Sequence, residues 1–179
     1  MVVKTHSLKD GRQLTIREAT GDDASALIEY VEAISGESNF ISFGPGEFGM
    51  TVEEEVKFLE GSRSKDNQIY LVAEIDGEIV GSTNFTGGRR PRMAHTGEFG
   101  VSVRKAYWGL GVGSALLDAL IEWAKGTDIV TKINLRVRAD NERGIALYKR
   151  KGFVHEGTET RGFRIDGVYH DDYHMGLEL

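Results

Sequence analysis

The sequence contains no cysteine. Structural disulfides, cysteine-based zinc sites and a covalent acyl-cysteine intermediate are therefore excluded. Long apolar runs are also missing: the longest, Ile69 to Ala73, is far below the ~18 residues that a membrane helix needs, and the first residues have no apolar core typical of a signal peptide. We therefore expect a cytoplasmic protein without a membrane partner.

Positively charged residues are in deficit: the chain has 22 Lys and Arg against 28 Asp and Glu, which gives a formal net charge of −6. General nucleic-acid binders are usually basic, so no nucleic-acid partner is expected. A cationic substrate such as an amine fits this charge better, although the same charge is also common as a solubility device.

Glycine is in excess, with 23 residues in 179. Gly109, Gly111 and Gly113 lie between an alternating strand that begins at Thr96 and a helix with apolar positions at a period near 3.6. Glycines at such a junction permit positive φ and let a ligand approach the backbone. The free N–H groups of the first helical turn favour an anion. The stretch Thr96 to Leu117 therefore predicts a phosphate site.

Two common nucleotide motifs do not match this stretch. A Walker loop needs Lys followed by Ser or Thr after the last glycine, whereas Ser114 and Ala115 follow Gly113. A dinucleotide fingerprint needs a third glycine where Ser114 stands, and an acidic residue after the next strand, which here carries Arg136 and ends toward Arg138. Both nucleotide interpretations are weak.

The segment Trp108–Gly113 instead resembles the coenzyme A pyrophosphate loop of the GNAT superfamily of N-acetyltransferases, Gln/Arg-x-x-Gly-x-Gly/Ala. Trp108 stands where Gln or Arg is usual. A second segment, VRADNERGIALYKRKGF, resembles the family's strand–helix motif, with Gly144 in place of the usual alanine. The positions that match this second motif are Asn141, Leu147, Tyr148, Gly152 and Phe153. The resemblance covers roughly Leu14 to the C-terminus.

This resemblance implies acetyl-coenzyme A as co-substrate, with no metal. The loop backbone would hold the pyrophosphate, and the pantetheine arm would run along the central strand and pair with the main chain of Val101, Ser102 and Val103. Asn141 would reach the pantetheine or fix the loop. The main-chain N–H near Val103 would polarise the thioester carbonyl. The implied coenzyme-binding residues are Val101, Ser102, Val103, Trp108, Gly109, Leu110, Gly111, Val112, Gly113, Ser114, Asn141 and Tyr148.

The resemblance also implies roles in the reaction. Tyr148 is the expected general acid for the leaving thiol, with a core tyrosine as the alternative, and Asn141 has a helix cap as its alternative. Glu98 is the candidate base on the central strand, against a solvated strand residue; His95 is a second candidate. Without cysteine, direct attack by the amine in a ternary complex is favoured over a ping-pong route.

The order of the predicted strands and helices indicates an α/β protein with a mixed, partly antiparallel sheet. We expect one domain over residues 1–179, in which residues 1–13 form a frayed lead-in. In the family's fold, the acyl-coenzyme A N-acyltransferase fold, the strand beginning at Thr96 and the strand Lys132–Val137 are parallel and splayed, and helices flank them. The other predicted strands are Leu14–Glu18, Gln68–Ile75, Glu78–Thr86, Val154–Arg164 and Tyr169–Glu178.

Local signals predict several helix ends and one turn. Asp22 or Asp23 can cap a helix that carries Leu27, Tyr30, Val31 and Ile34 on one apolar face. The segment Thr51 to Glu54 has the pattern of a capping box for the next helix. Gly126 stands at the C-cap position of the helix after the glycine-rich loop, and Asp76-Gly77 is typical of a type I′ turn.

The loop from Gly36 to Met50 is rich in aromatic residues, which a polar surface loop would not need. It either packs under the core or lines a pocket.

Taken together, these features predict an acetyl-coenzyme A-dependent N-acetyltransferase acting on a primary amine: a protein N-terminus, a polyamine or a small-molecule amine. The alternatives are a non-catalytic acyl-coenzyme A sensor of the same fold and a dinucleotide-binding domain. A homodimer is common in the family. The basic loop with Arg89, Arg90 and Arg92 is interpreted as solvated, with an acidic substrate or the coenzyme 3′-phosphate as its alternative partner.

Overall fold

The structure is a computed structural model that describes residues 3–179. It contains one eight-stranded sheet, four α-helices and short 3₁₀ turns. The strands are β1 (Val3–Ser7), β2 (Gln13–Glu18), β3 (Gln68–Ile75), β4 (Glu78–Gly87), β5 (Thr96–Val103), β6 (Lys132–Arg138), β7 (Val154–Ile165) and β8 (Val168–Glu178). The helices are α1 (Ala24–Ser35), α2 (Val52–Arg63), α3 (Val112–Lys125) and α4 (Glu142–Arg150).

The strand order across the sheet is β1-β2-β3-β4-β5-β6-β8-β7. The pair β5–β6 is parallel, as a strand–helix–strand crossover requires, and the other neighbouring pairs are antiparallel. The parallel pairing ends after Glu98, opposite Asn134. Beyond it β5 continues against β4 and β6 continues against β8, so the two central strands diverge. This confirms the predicted mixed sheet with splayed parallel strands.

The two faces of the sheet carry different helices. Side chains of α3 and α4 pack with the inward face of β5 and β6 in the larger apolar cluster, which includes Phe85, Leu116, Ile133 and Phe153. Helices α1 and α2 cover the opposite face through a smaller cluster built on Leu27, Tyr30, Leu59 and Val72. Because strand side chains alternate, odd-numbered residues of β5 face α3, and Glu98, Gly100 and Ser102 face the α1 side.

Local sequence signals explain several boundaries. The capping box predicted at Thr51 is confirmed, because its hydroxyl accepts a hydrogen bond from the Glu54 amide while the Glu54 carboxylate accepts one from the Thr51 amide. Gly126 follows the last residue of α3, as predicted. Asp76 and Gly77 both have positive φ, as a type I′ turn between β3 and β4 requires.

The prediction of a frayed lead-in over residues 1–13 is wrong for Val3–Ser7, because this segment pairs with β2 at the sheet edge; residues 1 and 2 of the predicted lead-in lie outside the described residues. Its pairing comes from main-chain hydrogen bonds, which a polar sequence provides as well as an apolar one. The predicted cap of α1 also differs: Asp23 occupies the N-cap position, but its carboxylate binds Arg17 and the Thr20 amide instead of capping the helix. Within the described residues, no helix combines the length and apolar character that a membrane crossing requires.

Candidate functional site

The opening between β5 and β6 exposes main-chain groups of β5. The Arg104 amide donates to the Val80 carbonyl of β4, so alternate residues, including Ser102, turn their main chain toward β4. Val101 and Val103 therefore direct their N–H and C=O groups into the opening. Of the three residues expected to bind the pantetheine, these two offer main-chain groups to a ligand, and Ser102 does not.

The Ser102 side chain instead joins a hydroxyl cluster on the α1 side of the sheet. Its Oγ lies 2.9 Å from the hydroxyl oxygen of Tyr30 and 3.4 Å from Oγ of Ser82. Tyr30 and Ser82 are buried, at 2% and 6% exposure. The sequence placed Tyr30 on an apolar helix face and gave no signal for its polar contact with the central strand.

The glycine-rich loop leads from the end of β5 into α3. Gly109 and Gly111 have φ values of 82° and 103°, which glycine adopts without strain. Gly113 already belongs to α3. The first intrahelical hydrogen bond of α3 runs from the Ala115 amide to the Gly111 carbonyl. The amides of Val112, Gly113 and Ser114 therefore lack intrahelical acceptors. This is the expected geometry of an anion site at a helix N-terminus.

Trp108 does not project freely from this loop. Its indole Nε1 donates a 2.7 Å hydrogen bond to the Val103 carbonyl, which lies on the open edge of β5. The side chain is 38% exposed. Arg143, in the first turn of α4, places its guanidinium 5.3 Å from the centre of the indole ring.

Tyr148 on α4 packs beside the opening, with its ring 5.9 Å from Phe99 and 6.1 Å from Phe153, measured between centroids. Burial raises the pKa of Tyr148 to about 12, so the phenol is protonated at neutral pH. Complete proton transfer from this phenol to a thiolate of reference pKa about 8.5 would cost about 5 kcal/mol. The phenol is therefore better suited to donate a hydrogen bond to a developing thiolate than to lose its proton.

Asn141 occupies the N-cap position of α4, where its Oδ1 accepts a 3.0 Å hydrogen bond from the Gly144 amide. A Cβ at residue 144 would lie 2.9 Å from Nδ2 of Asn141. The replacement of the usual alanine by Gly144 thus leaves room for this cap. The contact of Asn141 with the coenzyme stays a prediction.

Glu98 lies at the vertex of the opening, as the last residue of β5 that pairs with β6, and its side chain faces α1. Its Oε1 is 3.8 Å from Nε of Arg136, which in turn lies 3.6 Å from Glu159. All three side chains are about half exposed, so these ion pairs are weak. Glu98 is therefore accessible to an incoming amine, with a cation nearby.

The other polar candidates lie at the opposite end of β5. The His95 carbonyl accepts hydrogen bonds from the Thr131 and Lys132 amides, which fixes His95 before the start of β5 and away from the opening. Arg89, Arg90 and Arg92 are exposed in the connection between β4 and β5. None of these four residues is brought to the glycine-rich loop.

The connection between α1 and α2 closes over the end of β6. The guanidinium of Arg138, a 5% exposed residue, donates to the Asn39 carbonyl and to both carboxylate oxygens of Asp140, and lies 4.6 Å from the ring centre of Phe40. Phe43 and Phe48 of the same connection pack on the smaller core cluster. The connection both packs on the core and borders the opening; the sequence left these two interpretations open.

Residues 24–153 match the model of the acetyltransferase (GNAT) family. Over 105 residues the chain is 39% identical to an L-amino acid N-acetyltransferase of Escherichia coli, covering 59% of this chain and 65% of that protein. Over 110 residues it is 34% identical to the N-alpha-acetyltransferase RimI of Mycobacterium tuberculosis, covering 59% and 63%. The matches thus span less than two thirds of either relative.

Among solved structures, a GNAT-family acetyltransferase of Streptococcus pneumoniae superimposes with a TM-score of 0.91 at 38% identity. The match covers 93% of this chain and 99% of that one. The structural similarity therefore extends across the central strands, the glycine-rich loop and the hairpin of β7 and β8.

Proposed function

Because the chain belongs to the acetyltransferase (GNAT) family, we propose that it transfers the acetyl group of acetyl-coenzyme A to the nitrogen of a primary amine. The acceptor is a protein N-terminus, a polyamine or a small-molecule amine. The names of the two curated relatives, one acting on L-amino acids and one on N-terminal α-amines, support an amine acceptor. A single domain, a homodimer and a cytoplasmic location stay predictions.

The observation that carries this proposal is the alignment of two features of β5. Val101 and Val103 turn main-chain groups into the opening between β5 and β6, and the same strand continues into the free amides of Val112, Gly113 and Ser114. An extended arm with amide groups can pair with the strand edge while its pyrophosphate occupies the helix N-terminus. Acetyl-coenzyme A has both parts in this order.

The residues around the opening fit direct transfer. The lone pair of the neutral amine attacks the thioester carbonyl carbon, the carbon–sulfur bond breaks, and the thiolate leaves. The Val103 amide donates to the carbonyl oxygen as negative charge develops. Glu98 takes the proton that the amine loses, and Tyr148 donates a hydrogen bond to the leaving sulfur. The absence of cysteine excludes an acyl-cysteine route.

The proposal is tested by measuring thiol release from acetyl-coenzyme A with a panel of polyamines, aminoglycosides, amino acids and peptides with free N-termini. Calorimetric binding of acetyl-coenzyme A is measured in parallel. We expect binding without acceptor and thiol release with one acceptor class. Binding without turnover across the panel would favour the sensor alternative, and a chain that binds no acetyl-coenzyme A would overturn the proposal.

A further inference from the structure

The Trp108 side chain is hydrogen-bonded to β5 and carries no positive charge. Its indole N–H is used by the Val103 carbonyl, at 2.7 Å. Where the family motif has Gln or Arg, this chain therefore has no donor left to offer a phosphate. A site for a doubly charged pyrophosphate that consists of amides alone would lack a cationic partner.

A cation is nevertheless present at this loop. The Arg143 guanidinium lies over the Trp108 ring, and its Nη2 is 3.9 Å from the position a Cβ would take at Gly109. Arg143 is exposed. It takes part in none of the ion pairs found among residues 3–179, whereas nearby Arg104 pairs with Glu37 and Glu78.

The contact with the indole leaves this guanidinium available for an anion. Cation–π attraction holds the guanidinium at the Trp108 ring, and none of the side-chain hydrogen bonds found among residues 3–179 uses its N–H donors. The indole thus restricts the side chain without consuming its donors. An Arg held in this way loses less conformational entropy when it binds a phosphate in a bidentate manner.

We propose that Arg143 is a coenzyme-binding residue that contacts the pyrophosphate, with Trp108 as the positioning residue beneath it. The side-chain donor that Gln or Arg supplies in the family motif is supplied in this chain by a cation from the first turn of α4. The pyrophosphate is the expected partner, and not the 3′-phosphate, because Arg143 lies beside Gly109, in the loop that carries the free amides. This inference rests on the proposed acetyl-coenzyme A site.

The test is the affinity for coenzyme A, measured by calorimetry on the full chain, for wild type and Arg143→Gln. We expect Arg143→Gln to weaken binding roughly 10-fold or more, because charge-assisted hydrogen bonds are lost, with a smaller dependence of affinity on salt. Arg150→Gln is the matched control, since Arg150 is an exposed arginine at the other end of α4. An Arg143→Gln variant that binds as wild type does would overturn the proposal.

Two further binding measurements test which phosphate of coenzyme A Arg143 contacts and whether position 108 can supply the cation instead. Affinity for 3′-dephospho-coenzyme A should fall by the same factor in Arg143→Gln; a loss seen with coenzyme A alone would overturn the pyrophosphate assignment. Trp108→Arg, which restores the family residue, should recover affinity in the Arg143→Gln background. Failure of that rescue, in a variant with unchanged melting temperature, would contradict the substitution of one cation for the other.

These outcomes are distinct from failure of the proposed function. If wild type itself binds no coenzyme A, the proposed function fails and this inference with it. If wild type binds and Arg143→Gln binds equally well, the inference alone fails.

Discussion

The ring of Tyr148 stands edge-on to the ring of Phe99, with 5.9 Å between centroids and 80° between planes. Phe99 belongs to β5, just beyond the last residue that pairs with β6, so this contact ties α4 to the vertex of the opening. Phe153 completes the aromatic group, 5.6 Å from Phe99. The ring of Tyr148 is thus held by packing, which leaves the hydroxyl as the part of the side chain available for chemistry.

Tyr148→Phe should preserve the fold and impair the reaction. The ring keeps its aromatic contacts, and the variant loses only a hydroxyl whose pKa burial has raised to about 12. We expect the melting temperature to change by less than about 2 °C and kcat to fall at least about 10-fold, because one positioned hydrogen-bond donor to developing negative charge contributes on the order of 10²–10³. Thiol release under saturating acetyl-coenzyme A measures this. An unchanged kcat would remove Tyr148 from the mechanism.

Glu98→Gln tests the proposed base. The variant keeps the size of the side chain but cannot accept the proton of the amine, so kcat/KM should fall by about 10²-fold and the fall should lessen at high pH, where more amine is already neutral. Glu78→Gln is the matched control, because the Glu78 side chain is 59% exposed, against 58% for Glu98, and each lies beside an arginine. Equal activities of the two variants would count against Glu98 as base.

Gly97→Ala should destabilise the protein, because a Cβ at residue 97 would clash with the Thr86 carbonyl oxygen of β4 and approach the Phe85 ring to 2.7 Å. Overpacking of this kind typically costs about 1–3 kcal/mol. For a chain of this length, that corresponds to a fall in melting temperature of roughly 2–12 °C. Gly157→Ala is the control, since nothing lies within 4 Å of its Cβ position. A Gly97→Ala variant as stable as Gly157→Ala would contradict the close contact between β4 and β5.

The sequence was sufficient to predict the elements that carry a local signal, either a periodic apolar stripe or a cap or turn motif. The apolar stripe of α3 and the Thr51 capping box predicted their helices, and the positive φ of Asp76 and Gly77 follows from the turn sequence. The strand Val3–Ser7 was not predicted, because an edge strand is held by main-chain hydrogen bonds and does not require apolar residues that would mark it in the sequence.

The tertiary contacts of the site were not predictable in the same way. The contact between Arg143 and Trp108 joins residues 35 positions apart, and the Arg138 contact with the Asn39 carbonyl joins positions 99 apart. Neither has a spacing that a single sequence reveals. For Asn141 the sequence offered both a coenzyme contact and a helix cap; the structure shows the cap, and the coenzyme contact stays a prediction.

Asp172 of β8 lies on the same sheet face as Glu98 and is only 2% exposed. Its Oδ1 has no hydrogen-bond partner among the described residues. A Cβ at residue 162 would lie 2.7 Å from its Oδ2, so Gly162 allows the irregular part of β7 to cover the carboxyl group. Arg138 faces Asp172 across the strand pair but directs its hydrogen bonds to Asp140 and Asn39. The carboxyl group is therefore buried without a dedicated cation.

Burial raises the pKa of Asp172, against the opposing charges of Arg136, His174 and Arg138 and with the support of Glu159. A raised pKa means that the folded state binds the proton more tightly than the unfolded state does. The resulting stabilisation is complete below the unfolded pKa of about 3.8 and is lost as pH rises through the folded value. Wild type should therefore carry a cost at neutral pH that it lacks in acid.

Asp172→Asn should relieve this cost, because the amide is similar in shape and has no charge to bury. We expect its melting temperature relative to wild type to rise between pH 4 and pH 7.5 by about 2–4 °C, which corresponds to about 1 kcal/mol for a chain of this size. Asp171→Asn is the charge-matched control, since Asp171 is the exposed neighbour and an asparagine there can still accept the Arg161 amide. If Asp172→Asn were instead less stable at pH 7.5 than at pH 4 relative to wild type, the Asp172 carboxylate would be ionised and paired with Arg136 or Arg138, and the raised pKa would be wrong.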